Sequence, residues 1–278
     1  MAGVLYVVGT PIGNLGDFSP RAAEVLRTCD FIAAEDTRVT RRLLNHFAIP
    51  TPVVSYHEHN SRTAGEKILD RVLAGESCAL VTDAGMPAVS DPGEALVALM
   101  HAHGVRVEAV PGPTAFATAV AVSGLPSRRF TFEGFLPVQK AQRRALLQAL
   151  ASETRTLVFY EAPHRLFKTL CDLLDAFGDR ELALVKELTK LHETVERTTL
   201  REAVEAYRGK EVRGEYVLVL RGAEAETTTW SLPDAVERAR ALEQAGMGKT
   251  QAAKTAARES GLKKSEIYKA LTGQDGGV

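Results

Sequence analysis

A short apolar run, then a turn rich in Gly and Pro, then a helical stretch: this unit recurs along the first half of the chain and leaves few folds open. Val4-Leu5-Tyr6-Val7-Val8 leads into Gly9-Thr10-Pro11-Ile12-Gly13-Asn14-Leu15-Gly16-Asp17. Cys78-Ala79-Leu80-Val81 leads into Thr82-Asp83-Ala84-Gly85-Met86-Pro87-Ala88-Val89-Ser90-Asp91-Pro92-Gly93, and Val105 to Val110 into Pro111-Gly112-Pro113-Thr114-Ala115. An unbroken apolar run is a strand covered on both faces. Strands alternating with helices place a parallel sheet between helical layers, so the fold class is α/β. Loops that follow parallel strands lie where open α/β sheets bind ligands. Gly and Pro there let the backbone approach a ligand and hold it rigidly. The expectation is a crevice lined by main-chain groups.

Further strands are expected at Phe31 to Ala34 and Pro52 to Tyr56, with helices from Ser19-Pro20, over Arg38 to Phe47, Ala64 to Leu73 and Glu94 to His101. The Ala-rich helix Thr114 to Val122 can pack closely, and Gly124-Leu125-Pro126-Ser127 breaks it. A second domain then opens with Phe130 to Pro137. It continues through the helix Gln139 to Ala151, the strand Thr156 to Tyr160, the helix Leu166 to Phe177 and the strand Glu181 to Val185. Glu193 to Thr198, the helix Leu200 to Tyr207 and the strand Glu215 to Arg221 close it; hairpin-like neighbours here imply a mixed sheet. Glu224 to Thr229 reads as a polar linker, and Leu232 to Gln244, Lys249 to Ser260 and Lys264 to Leu271 as three short helices with turns at Gly246 and Gly261. The domains expected are 1–124, 125–224 and a helix-turn-helix-like tail over 230–275.

Composition excludes several classes. A formal net charge of −1 gives no whole-chain pull toward nucleic acid or membrane, so any RNA surface must be local. Cys29, Cys78 and Cys171 are scattered, without the spacing of a disulfide framework or a zinc site. No apolar stretch approaches the ~20 residues of a membrane span. The start carries no basic region, so no signal peptide is expected and the chain reads as cytoplasmic. Gly246-Met247-Gly248-Lys249-Thr250 imitates a phosphate loop. Yet Glu243 stands where the first Gly is needed, and a helical pattern precedes it instead of a strand.

Polar residues gather where strands end. Ala34-Glu35-Asp36-Thr37-Arg38 can hold a polar substrate or cap the helix that follows. His57-Glu58-His59-Asn60 can handle substrate or accept a proton. No third ligand has a telling spacing, so no metal is expected. Phe159-Tyr160-Glu161-Ala162-Pro163-His164-Arg165, Val185-Lys186-Glu187-Leu188-Thr189-Lys190 and Arg213-Gly214-Glu215-Tyr216 repeat the pattern in the second domain. Three such turns opposite the Gly/Pro loops favour a site between the two domains.

In this order the motifs resemble the tetrapyrrole-methylase superfamily, in its ribosomal-RNA-methylating branch, over essentially the whole chain. Met86 stands where Thr is common in that group, and Arg213 where Lys is common. The resemblance implies S-adenosylmethionine between two α/β domains, a homodimer, and methyl transfer to the ribose 2′-oxygen of a cytidine in the decoding centre of small-subunit (16S) ribosomal RNA. For the cofactor it implies Pro11, Asp83, Gly85, Met86, Pro87, Val89, Ser90, Thr114 and Ala115 from the first domain. From the second it implies Tyr160, Glu161, Glu187, Leu188, Arg213, Gly214 and Glu215. Candidate proton acceptors are His57, Glu161 and Glu187, with Lys186 as a charge-stabilising partner. Asp36, Arg38, Arg41, His57 and Asn60 are expected to face the nucleotide. Arg42, Arg128, Arg129, Arg143 and Arg144 add basic points, as do Lys249, Lys254, Arg258, Lys263, Lys264 and Lys269 in the tail. A methylase of a small tetrapyrrole ring is the alternative enzyme. A non-enzymatic nucleic-acid-binding regulator is the alternative class, but it leaves the crevice without a purpose.

Overall fold

In a computed structural model, which describes residues 2–224 and 230–273, the chain divides into two compact units, Met1–Ala223 and Glu224–Val278. Residues 225–229 of the expected linker and 274–275 of the expected tail lie outside the described residues.

The first unit begins with five parallel strands: β1 (Val4–Val8), β2 (Phe31–Ala34), β3 (Val53–Ser55), β4 (Cys78–Val81) and β5 (Arg106–Val110). Their order across the sheet is β3-β2-β4-β1-β5, every pair parallel. Both faces are covered, which is why β2 and β4 are apolar at every position. Helices α1 (Pro20–Thr28) and α2 (Thr37–His46) bury Ala22, Leu26 and Leu44 against Ile32, Ala34, Ala79 and Val81. Helices α3 (Ser61–Leu73) and α4 (Gly93–Ala102) bury Ile68, Val72, Leu96 and Met100 on the other face, against Leu5, Phe31, Ala33 and Leu80. The chain leaves β1 toward β2 on one side and β4 toward β5 on the other. Because β1 and β4 are neighbours, their carboxyl ends form a switch point, where such sheets open a crevice.

Helix α5 (Ala115–Ser123) joins this half to the next and ends at Gly124, whose φ of +66° fits the left-handed residue that closes many helices. A second sheet follows, from β6 (Phe130–Phe135), β7 (Thr156–Glu161), β8 (Glu181–Lys186), β9 (Thr194–Thr199) and β10 (Tyr216–Leu220). Its order is β6-β7-β10-β8-β9, with only β6 and β7 parallel, the mixed sheet expected from the hairpin-like succession of strand signals. Helices α6 (Lys140–Leu150), α7 (Pro163–Phe177) and α8 (Leu200–Tyr207) cover one face with Leu147, Leu166, Leu170, Leu173, Leu200 and Ala203. The opposite face is covered by α5, whose Ala119 and Val120 lie on Val158, Ala183, Val185, Val217 and Val219. Each large apolar side chain buried this way contributes roughly 1.5–3 kcal/mol. So α5, which the sequence groups with the first half, packs into the core of the second, and the two sheets form one compact unit.

The second unit carries α9 (Leu232–Gln244), α10 (Lys249–Ser260) and α11 (Lys264–Thr272) around a small core of Ala235, Val236, Ala239, Ala253, Ala256 and Ile267. Gly248 is the N-cap of α10 and a helix precedes it, so the Gly-Lys-Thr sequence there has no phosphate-loop geometry. Lys254, Arg258, Lys263, Lys264 and Lys269 are exposed. Among the described residues, no helix is long and apolar enough to cross a membrane.

Candidate functional site

The loops after β1, β4 and β5 lock onto one another by main-chain contact. Thr10 N–H donates to the Gly85 carbonyl at 2.9 Å, and Gly85 N–H donates back to Thr10 at 3.2 Å. The Thr10 hydroxyl reaches the Thr82 carbonyl at 3.2 Å. Gly9 and Gly112 pass so close that a Cβ on Gly9 would lie 2.7 Å from the Gly112 Cα and N. Gly85 has φ +90°. Ala88 and Ser90 both sit at φ +65°, a region that costs a side-chain-bearing residue about 1–3 kcal/mol. Asp91 holds Ala88 there: its Oδ1 accepts from Ala88 N–H at 2.9 Å and Gly93 N–H at 2.7 Å. Strain kept in place by a dedicated carboxylate is a feature of ligand-binding loops.

Against these loops stands the end of the second sheet, and between them opens a cavity of about 560 Å³. Its walls take Asp83, Gly85, Met86, Val89, Ser90, Thr114 and Ala115 from the first half. From the second they take Tyr160, Glu161, Leu188 and Glu215. The Tyr160 hydroxyl accepts from Phe116 N–H at 3.1 Å, pinning β7 to the start of α5. Phe132 and Phe135 lie against the Tyr160 ring at centroid distances of 4.9 and 5.5 Å.

Every charged residue of the lining is acidic: Glu35, Asp83, Asp91, Glu161 and Glu215. Glu35 accepts from the Thr82 hydroxyl at 2.8 Å. Asp83 accepts from Asp36 N–H at 3.1 Å; burial, aided by the nearby Asp36 charge, raises its carboxyl above the ordinary range.

Other expected site residues lie outside the lining. Pro11 and Pro87 stand in the loops after β1 and β4. Glu187, at φ +52°, accepts from Glu215 N–H at 2.9 Å and from Lys190 Nζ at 2.9 Å; these bonds, the Glu215 one first, hold its carboxyl below the usual range. Gly214, at φ +88°, leaves room for it: a Cβ there would meet Glu187 Cγ at 2.7 Å. Arg213 is exposed and pairs with Glu211 at 3.0 Å. Lys186 lies with Tyr207, Lys210 and Tyr216 in a separate pocket beside α8. Glu161 lines the cavity, yet its side chain is wholly buried and occupied: it accepts from Thr169, from Ala162 N–H at 2.9 Å, and pairs with Arg165 at 3.3 Å.

Asp36 and His57 follow the ends of β2 and β3 at the carboxyl rim of the first sheet, with Asn60 in the turn after His57 and Arg38 and Arg41 on the first two turns of α2; none of the five lines the cavity. Asp36 caps α2 and grips Arg38 at 2.6 Å, which drives the Asp36 carboxyl well below its ordinary range. His57 is half-buried and its Nδ1 has no hydrogen-bond partner; its N–H donates to Asn60 Oδ1 at 2.8 Å. Ile12, Glu35, Thr82, Asp91, Phe135 and Tyr216 line the cavity without having been singled out as site residues. Glu35, Thr82 and Asp91 lie inside motifs read as loops, so that signal was present. Phe135 gave none, because an aromatic at a strand end reads as core.

A doubly wound sheet joined through α5 to a mixed sheet, with a cleft of about 560 Å³ at the switch point, defines a two-lobed α/β protein. Solved structures share this fold. A uroporphyrin III C-methyl transferase from Thermus thermophilus superposes with a TM-score of 0.57 at 24% identity, over 79% of this chain and 97% of that one. A diphthine synthase does so with 0.60 at 16%, over 79% and 90%. Residues 4–204 match the family described as Tetrapyrrole (Corrin/Porphyrin) Methylases, and the chain belongs to that family. Curated relatives named ribosomal RNA small subunit methyltransferase I are similar along their whole length. The protein from Synechocystis sp. is 46% identical over 268 residues, 96% of both chains. That from Xylella fastidiosa (strain Temecula1) is 48% identical over 269, 96% of this chain and 98% of that one. That from Escherichia coli O157:H7 is 43% identical over 277, 99% and 96%.

Proposed function

We propose that the protein is an S-adenosylmethionine-dependent methyltransferase acting on small-subunit (16S) ribosomal RNA, at the ribose 2′-oxygen of a cytidine in the decoding centre. The observation that carries the donor assignment is a cleft whose charged lining residues are all acidic, among apolar side chains and the hydroxyl-bearing Thr82, Ser90, Thr114, Tyr160 and Tyr216. That chemistry suits a compact cation bearing an apolar body. The cavity also lies inside the range of about 300–1,000 Å³ that small-ligand sites occupy.

S-adenosylmethionine supplies a methyl group on an electrophilic sulfonium. Asp83 and Glu215 are the carboxylates placed to balance its positive charge. The backbone of Gly85 to Ser90, with Thr114 and Ala115, orients it, and Tyr160 and Leu188 pack on its apolar body. Orientation of this kind lowers a barrier by roughly 7–11 kcal/mol in favourable cases. The poorly acidic hydroxyl of the acceptor must also lose its proton. Glu161 and Glu187 are engaged in internal bonds and Lys186 lies in another pocket; His57 also stands outside the cleft lining, with a buried, unpartnered Nδ1, and is the acceptor we carry forward on condition that its ring turns toward the substrate hydroxyl. Asp36, Arg38, Arg41 and Asn60 on the same rim would meet the nucleotide. The basic residues of the tail would add RNA contacts of their own. The relatives' full-length similarity, tail included, supports RNA as substrate over a small ring, which needs neither the arginine-bearing rim nor the tail. A homodimer acting in the cytoplasm is part of the same reading.

Labelled donor offered with small ribosomal subunits or with a porphyrinoid ring separates the two substrates, and mass mapping of the RNA locates the methyl group. Label appearing only in the ring overturns the RNA assignment. His57→Ala should lower kcat by roughly 10²–10⁴-fold with donor affinity kept; unchanged turnover removes His57.

A further inference from the structure

Phe135, at the end of β6, is 54% exposed and borders two cavities. One is the donor cleft. The other is a groove of about 440 Å³ between the segment after β6 and the start of α7, walled by Pro137, Val138, His164 and Lys168. The two share Phe135 and Ala162, so the groove opens beside the cleft. Across that ring the sign of charge inverts. The cleft's charged residues are all acidic, and the groove's are all basic, Arg143, Arg165 and Lys168, with His164 beside them.

Two of these are committed to the fold. Arg143, though read from the sequence as a point of RNA contact, is buried with Asp172 at 2.6 Å and Thr169 at 2.8 Å. Arg165 pairs with Glu161 and donates to the Leu136 carbonyl at 2.6 Å. Lys168 and His164 are exposed and have no ion-pair partner among the described residues. They stand on the first turns of α7, a fifteen-residue helix opened by Pro163, so the positive end of its dipole adds to theirs.

An exposed aromatic face beside a cationic groove is what binds single-stranded nucleic acid, one base on the ring and the backbone along the charge. We propose that this groove seats a nucleotide neighbouring the methylated one in the RNA strand, its base on Phe135 and its phosphate on Lys168 and His164. This deepens the RNA-methylating reading and rests on it. The shared wall is the reason for placing the occupant next to the target: a strand whose reactive ribose enters the cleft has its flanking nucleotide at Phe135. The acidic cleft repels phosphate, so the backbone is steered to the basic side.

The full-length protein and its Lys168→Ala, Phe135→Ala and Phe135→Trp variants decide the matter. Methyl transfer to small ribosomal subunits is measured at several salt concentrations. Binding of a short single-stranded cytidine-rich RNA is measured separately by fluorescence anisotropy. Phe135→Ala should raise KM for subunits roughly 5- to 100-fold, the loss of one stacked base, and Phe135→Trp should restore most of it. Lys168→Ala should flatten the dependence of log(kcat/KM) on log salt by about 0.7, one phosphate contact on a single strand, with donor affinity unchanged. Wild-type KM, salt slope and oligonucleotide affinity in both alanine variants would overturn the proposal. So would a change in sedimentation that accounts for any KM shift, since the groove would then hold a second copy of the chain. Wild-type protein that transfers no methyl group yet binds the oligonucleotide through Lys168 and Phe135 would sink the methyl-transfer reading and leave the groove standing.

Discussion

Replacing Gly9 by Ala tests whether the close approach of the first-half loops shapes the donor site. The new methyl group would lie 2.7 Å from the Gly112 Cα and N and 2.7 Å from Met86 Sδ. The thioether can swing aside, but the Gly112 backbone cannot, since Val110 is tied to Gly9 N–H at 3.0 Å and Thr10 to Gly85. Overpacking of this kind costs about 1–3 kcal/mol. It appears in one of two places. If the loops stay closed, the melting temperature falls by roughly 2–12 °C for a unit of this size. If they part, stability is kept, but the donor must close them again and its affinity weakens by about 5–150-fold. Scanning calorimetry and titration with S-adenosylmethionine read the two together. Gly112→Ala presses on the same gap, with its Cβ 2.9 Å from Gly9 atoms, so the double variant should lose less than the sum of the two. Gly104→Ala is the control: it meets nothing within 4 Å and suffers only its φ of +68°, so it should lower stability and leave donor affinity alone. Gly9→Ala with both quantities at wild-type values would refute the claim that this contact sets the cleft.

Further expectations follow from the site's bonds. Glu161→Gln should destabilise by about 1.5–3 kcal/mol, because it removes a charged hydrogen-bond acceptor from Arg165 and Thr169; denaturant midpoints check it, and an unchanged midpoint would return Glu161 to the list of free carboxylates. Tyr160→Phe orphans Phe116 N–H and should lower stability by about 0.5–1.5 kcal/mol in the same assay. Asp83 has a carboxyl raised by burial, so the folded state holds its proton to higher pH than the unfolded chain does. Its contribution to stability therefore falls as pH rises from the ordinary carboxylate range through the raised value, and it stays unfavourable at neutral pH. Asp83→Asn should then stabilise the protein at neutral pH while weakening donor binding, measured by melting and by titration; equal donor affinity would remove Asp83 from the site. Arg38→Ala breaks only an exposed pair, so the melting temperature should hold, and any rise in KM for ribosomal subunits reads its contact with RNA.

The strands were legible because burial on both faces writes them as unbroken apolar runs, and β2 and β4 match those runs residue for residue. Helix starts were less so. Helix α7 begins at Pro163, three residues before Leu166, because His164 and Arg165 interrupt the apolar pattern while Pro at the first turn sets the backbone. The main-chain loops of the site were legible from their Gly and Pro. The contact between Gly9 and Gly112 was not, since nothing local in either segment names the other. Arg143 and Glu161 show the limit most plainly. As letters they are a surface cation and a free base; in the fold, Asp172 and Thr169 take the first, and Thr169 and Arg165 take the second. Arg143 takes its role from partners 26 and 29 residues away, which no spacing rule reaches; Arg165 and Thr169 lie close to Glu161 in sequence, but Glu161 read as the end of a strand, where helical spacing does not apply.

That dependence also accounts for how a chain with a formal net charge of −1 can serve RNA. A uniformly basic surface would bind phosphate everywhere and would draw backbone into the donor cleft. Here Arg143 and Arg165 are taken by internal carboxylates, so the free cation of α7 that borders the groove is Lys168, with the imidazole of His164 one helical turn before it on one side of Phe135. The carboxylates Asp83 and Glu215 stand on its other side. The boundary between cationic donor and anionic acceptor is thereby drawn at one aromatic side chain, and neutralising Lys168 while leaving Asp83 intact should weaken RNA binding without touching donor affinity.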